Sequence, residues 1–92
     1  MNNSSLYSEF LEGIEKRNMD QITYMALKVL EKENVIVNDK IAIVRAKKDV
    51  ISNKNMPLLL VELYLGSGWK VSLTVNPENK VFIEISRGCR NE

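Results

Sequence analysis

Residues 58–86 read LLLVELYLGSGWKVSLTVNPENKVFIEIS, and two turn signals inside this stretch decide the fold. Gly66-Ser67-Gly68 has the make-up of a three-residue hairpin loop. Around it Leu65 faces Trp69, Leu63 faces Val71, Val61 faces Leu73 and Leu59 faces Val75. Pro77-Glu78-Asn79 marks the second loop, because proline suits the first corner of a turn and asparagine tolerates the left-handed position. It sets Val75 against Val81, Leu73 against Ile83 and Val71 against Ile85. Every pair in both hairpins is apolar, and both hairpins place the same residues of the middle segment on that face. Strand side chains alternate with period two, so a one-residue slip in either hairpin would carry the whole apolar set to the opposite face. The stretch therefore predicts an antiparallel meander, Leu58–Leu65, Trp69–Asn76 and Lys80–Ser86.

An apolar sheet face needs a cover, and the N-terminal third supplies it. From Ser5 to Arg17, Leu6, Phe10, Leu11 and Ile14 recur at helical spacing, with Glu9, Glu12, Glu15 and Lys16 mostly between them. Ser5 suits the N-cap and Glu9 suits the positive end of the helix, while Gly13 lowers the propensity of its interior. Asn18-x-x-Gln21 resembles a capping box for a second helix, whose stripe is Ile22, Met25, Ala26, Val29 and Leu30. Asn34 is placed to end that helix in the left-handed conformation. The period then becomes extended. Val35-Ile36-Val37 predicts a short strand or the approach to one, Asn38-Asp39 a turn, and Lys40–Ala46 a fuller strand. Lys47–Asn55 reads as a connecting loop anchored by Val50-Ile51, and Pro57 belongs at the start of the next strand. The expected architecture is α+β, two N-terminal helices packed on one face of an antiparallel sheet of about three to four strands, an ααβ(β)ββ two-layer sandwich.

Ninety-two residues, 45% of them hydrophobic, can close one core, so residues 1–92 form a single expected domain with flexible ends at about 1–4 and 88–92. Thirteen Lys and Arg against twelve Asp and Glu leave a net charge of +1, which excludes a global field toward nucleic acid or anionic lipid. A basic bias is local, with nine basic and six acidic residues over positions 35–92. Cys89 is the single cysteine and can form no internal disulfide, which fits a reducing, cytoplasmic location. Met1-Asn2-Asn3-Ser4-Ser5 has neither the basic nor the apolar region of a signal peptide, and no apolar run approaches bilayer length, so no membrane association is expected.

The residues that usually carry catalysis are sparse in this chain. The chain has no histidine, which removes the commonest general base and metal ligand along with every Ser-His or Cys-His pair. No phosphate-binding loop is present, and Gly66-Ser67-Gly68 lies between strands instead of opening a helix. Glu9, Glu12 and Glu15 read as a solvated helix face. Cys89, flanked by Arg87 and Arg90, has neighbours that would favour its thiolate but neither a base nor a resolving thiol. The second helix carries outward residues of mixed charge and does not suit a DNA-reading helix. No enzyme, cofactor or metal is expected.

The outward face of the meander remains. It presents Leu60 beside Thr74 and Phe82, then Glu62 beside Ser72 and Glu84, then Tyr64 beside Lys70 and Ser86, with Lys80 and Arg87 at the ends. The expected function is a small non-enzymatic interaction module, a regulator, inhibitor or adaptor. It would bind another protein or itself through this face, at Leu60, Tyr64 and Phe82, or through an edge strand. The alternative is nucleic-acid binding, with bases stacked on the sheet aromatics and phosphates held by Arg45, Lys47, Lys48, Lys70 and Lys80. Glu62 and Glu84 at the centre of the face oppose that alternative, and a charged Arg45–Lys48 segment equally serves to blunt a sheet edge.

Overall fold

The first helix begins where Ser5 turns its side chain back onto the chain. In the computed structural model, which describes residues 5–51 and 54–87, the Ser5 hydroxyl accepts from the Ser8 amide and the Ser8 hydroxyl accepts from the Ser5 amide, both at 3.1 Å. This reciprocal capping box opens α1, Leu6–Glu15. α1 ends in a Schellman motif, with the Arg17 amide donating to the Ile14 carbonyl and the Asn18 amide to that of Gly13. Arg17 holds the left-handed position at φ 56°. Asn18 then caps α2, Met19–Lys32, by accepting from the Gln21 amide at 3.2 Å. The Gln21 side chain binds the Asn18 side-chain amide, not its backbone, because the Asn18 N–H is already taken by Gly13. A Cβ on the buried Gly13 would sit 3.1 Å from Ile22 Cγ1, so the residue that weakens α1 is the one that admits α2. α2 closes with a second Schellman motif at Asn34, φ 65°, where asparagine was expected.

Four strands follow as an open antiparallel sheet in chain order: β1 Ile41–Ile51, β2 Pro57–Leu65, β3 Trp69–Val75 and β4 Val81–Arg87. The register of the meander matches its turn chemistry, with Leu59, Val61 and Leu63 opposite Val75, Leu73 and Val71, and these opposite Val81, Ile83 and Ile85. Gly68 has φ 103° and Asn79 has φ 68°, the left-handed positions of the two loops. Asn76 reinforces the second loop, its Oδ1 accepting from the amides of Glu78 at 2.9 Å and Lys80 at 3.0 Å.

Upstream of the meander the structure departs from the sequence expectation in two places. Val35 and Val37 pack against the core and Ile36 faces solvent, so the alternation is present, yet the segment joins no strand. Residues 47–51 belong to β1 and not to a loop, because Val50 and Ile51 pair with Leu58 and Pro57. The extension was masked by two bulges. Ala42 is an extra residue between Ile41 and Ile43, and a second extra residue lies between Lys47 and Val50, where Asp49 adopts φ 61°. The expectations for the chain ends and for Cys89 fall outside the described residues.

The architecture is therefore α+β, with two helices packed on one face of a four-stranded sheet. Phe10, Ile22, Ala26 and Leu30 from the helices meet Leu59, Val61, Leu63, Val71, Leu73 and Val75 from the sheet, all fully or almost fully buried. Each large side chain so buried contributes roughly 1.5–3 kcal/mol of transfer free energy. The helices make their main backbone contacts with β1 and β2, and this offset leaves β4 less covered than the rest. Among the described residues, no helix is long and apolar enough to cross a membrane.

Candidate interaction face

Adding β1 to the meander completes the outer face as three four-strand rows: Lys47–Leu60–Thr74–Phe82, Arg45–Glu62–Ser72–Glu84, and Ile43–Tyr64–Lys70–Ser86. The three apolar candidates on it differ in access. Leu60 and Tyr64 are half-buried, whereas Phe82 on the edge strand is 61% exposed. Tyr64 lies between two cations, with the Arg45 guanidinium 5.6 Å and the Lys70 ammonium 5.7 Å from its ring. Its hydroxyl donates to Glu62 at 3.3 Å, and Glu62 also pairs with Lys70 at 3.5 Å. The centre of the face is thus a mutually satisfied group of Tyr64, Glu62 and Lys70 with Arg45 stacked above.

The cations proposed from sequence do not form one surface. Arg45, Lys47 and Lys70 are on the outer face, but Lys48 falls at the second bulge and reaches the helix layer, where it pairs with Glu15 of α1 at 3.2 Å. Lys80 keeps the outer-face parity but lies across the sheet from Arg45 and Lys47, just before the edge strand β4. Arg87 is also displaced from the expected place. It is the partner of Trp69 on the helix-side parity, and its guanidinium stacks 4.8 Å from the indole.

The feature that the alternation of side chains could not reveal is the condition of the β4 edge. The Asn76 amide donates to the Lys80 carbonyl at 3.1 Å. Antiparallel alternation then turns the main-chain groups of Phe82, Glu84 and Ser86 toward β3, and those of Val81, Ile83, Ile85 and Arg87 toward the open side. β4 pairs only with β3 among the described residues and contains no bulge and no proline. Apolar side chains flank this free edge on both faces, Phe82 outside and Ile85, 52% exposed, on the helix side. Ile85 is opposite Val71, which is 3% exposed, so coverage by the helices is lost across a single strand spacing.

Asp39 was missed as more than a turn residue. Its carboxylate accepts from the Ser67 amide at 3.0 Å and from the Lys40 amide at 2.8 Å, while the Gly66 amide donates to the Lys40 carbonyl at 2.8 Å. These bonds clamp the first hairpin loop to the start of β1. The Ser67 side chain and amide, together with the Lys40 amide, hold the Asp39 carboxyl below its ordinary pKa. Its partner lies 28 residues away, beyond any local pattern. The second loop is tied similarly, since Asn79 Oδ1 accepts from the Tyr7 amide of α1 at 2.9 Å.

Concavities open at two places among the described residues. A groove of about 630 Å³ between the start of α1 and the last turns of α2 is lined by Leu6, Tyr24, Met25, Lys28 and Val29 among others. A smaller one of about 300 Å³ lies beside the first hairpin loop, between Ile43, Tyr64 and Trp69. No group of three or more acidic or cysteine side chains among the described residues is arranged to hold a metal ion. No protein-family model matches the chain, and comparison with curated proteins and with solved structures yields no match either.

Proposed function

We propose that this protein is a small non-enzymatic interaction module that binds other polypeptide chains along β4, working in a reducing, cytoplasmic compartment. The observation that carries the reading is the β4 edge: seven residues of regular strand with a free main-chain side and an exposed aromatic at Phe82. An extended segment added to such an edge gains main-chain hydrogen bonds, and the flanking apolar side chains give it something to bury. Phe82 is the anchor of this reading, Leu60 its half-buried neighbour across Thr74, and Tyr64 part of the supporting group at the centre of the face. The nucleic-acid alternative has less support, since Lys48 and Lys70 are engaged by Glu15 and Glu62 and the remaining candidates, Arg45 and Lys47 on β1 and Lys80 beside β4, lie on opposite edges of the sheet.

Photocrosslinking from inside the producing cell tests the reading. With p-benzoylphenylalanine in place of Phe82, crosslinks to a polypeptide are expected, while the same group in place of Lys47 on β1 gives few or none. Equal crosslinking from both positions, or none from position 82, would remove β4 as the working edge. Adducts to nucleic acid in place of polypeptide would transfer the assignment to the alternative.

A further inference from the structure

The occupant of the β4 edge can be named from the edge itself. We infer that β4 pairs antiparallel with β4 of a second copy of this chain, about a two-fold axis at Ile83, to make one continuous sheet across the dimer. The inference rests on the reading of β4 as a protein-binding edge and specifies the partner.

The β4 edge is complementary to itself. Val81, Ile83 and Ile85 present their main-chain groups to the open side, so only registers that hydrogen-bond these positions to one another satisfy both edges. Three such registers lie within one residue of the strand centre, and of these an axis at Ile85 sets Arg87 against Ile83 in the helix-side row, where it interrupts the apolar contacts. A two-fold axis at Glu84 sets Glu84 directly opposite Glu84 of the second copy, a like-charge pair that destabilises a ladder. An axis at Ile83 sets Ile83 opposite Ile83 and Val81 opposite Ile85. On the outer face it places Phe82 opposite Glu84 and Lys80 opposite Ser86. The two glutamates move to a diagonal, and Lys80 of the other copy occupies the second diagonal of each, within reach of a long side chain. On the helix side the same axis brings Val81, Ile83 and Ile85 of both copies into one apolar row, beside the margin where the helices stop covering the sheet. β1 offers no comparable match, because two bulges interrupt its ladder and Arg45, Lys47 and Lys48 would oppose like charges.

Analytical ultracentrifugation of the purified full chain over a wide concentration range tests the inference. The weight-average mass should rise with concentration from that of the 10.5 kDa chain toward twice that value. Ile85→Lys, at a half-exposed position, should keep the far-UV circular dichroism and the melting transition while weakening self-association about tenfold or more. Register is read by cysteine pairing in a Cys89→Ser background. Opposed hydrogen-bonded residues stand about 5.5 Å apart at Cα, within disulfide range, so Ile83→Cys should oxidise to a covalent dimer and Glu84→Cys should not. A mass that stays monomeric at the highest soluble concentration, or preferential crosslinking through Glu84→Cys, overturns the inference. Crosslinks from position 82 to a different polypeptide would in that case still uphold the broader reading of β4, so the two failures are distinguishable.

Discussion

β1 and β4 both border the sheet, yet they are built on opposite principles. β1 runs for eleven residues, bends at two bulges, carries Arg45, Lys47, Lys48 and Asp49, and lies beneath the helices. β4 runs for seven residues without interruption, carries one acidic residue at its middle, and has little helix above it. Bulges and lysines are the devices by which edge strands avoid pairing with other chains, because they break the regular row of donors and acceptors and add charge that resists burial. Among the described residues both edges lack a further strand, but only β1 carries such devices along its length.

The largest effect expected from this contrast is in stability. Val44 lies half-buried on the helix side of β1 and packs against the core, so Val44→Asp would partly desolvate a carboxylate and should cost about 2 kcal/mol. Ile85→Asp, on the same side of β4, should cost less than about 1 kcal/mol because water already reaches that position. Urea unfolding midpoints of the two variants compare the edges directly, and equal losses would mean that the helices shield both.

A smaller effect is expected at Asp39, which ties the start of β1 to the hairpin loop. Its folded pKa is depressed, so the carboxylate stabilises the fold at pH values above its unfolded pKa, near 3.8, and this contribution is lost as pH falls through the lower folded value. Asp39→Asn should therefore lower the urea midpoint at pH 7, and the difference from the parent should begin to shrink below about pH 3.8 and vanish once pH falls under the lower folded value. A difference that persists unchanged into acid would mean that the amide fails for steric and not electrostatic reasons.

The smallest effect is at the second bulge. Asp49 sits at φ 61°, where glycine carries no Cβ penalty, so Asp49→Gly should stabilise by about 0.5 kcal/mol, measured by the same unfolding curves. A loss of stability would show that the Asp49 side chain contributes more to the β1 edge than its backbone strain takes away.

What was legible beforehand follows from how local each determinant is. The meander register, the left-handed Asn79, the caps at Ser5 and Asn18 and the helix stop at Asn34 all follow from turns, caps and alternation set by near neighbours in the chain. Arg17 in a left-handed cap was not legible, because the residue type disfavours that conformation and only the tight α1–α2 connection imposes it. The length of β1 was hidden for a related reason. Each bulge shifts the side-chain alternation by one, so Ile41 and Val44 share a face at a spacing that no regular strand would show. Of the candidate site, Leu60, Tyr64 and Phe82 were placed on the correct face, but alternation says only which face a side chain takes and nothing about how much of it another layer covers.

The sequence by itself determined the α+β class, the order of elements and the register of the last three strands, because turn chemistry and side-chain alternation act between near neighbours in the chain. Only the tertiary structure decided where the helices come to rest, that Lys48 and Arg87 leave the outer face, that Asp39 clamps a loop 28 residues away, and that β4 is the edge with little helix above it. Those outcomes depend on which distant surfaces bury each other best, and such a sum over the whole fold is written into no single stretch of residues.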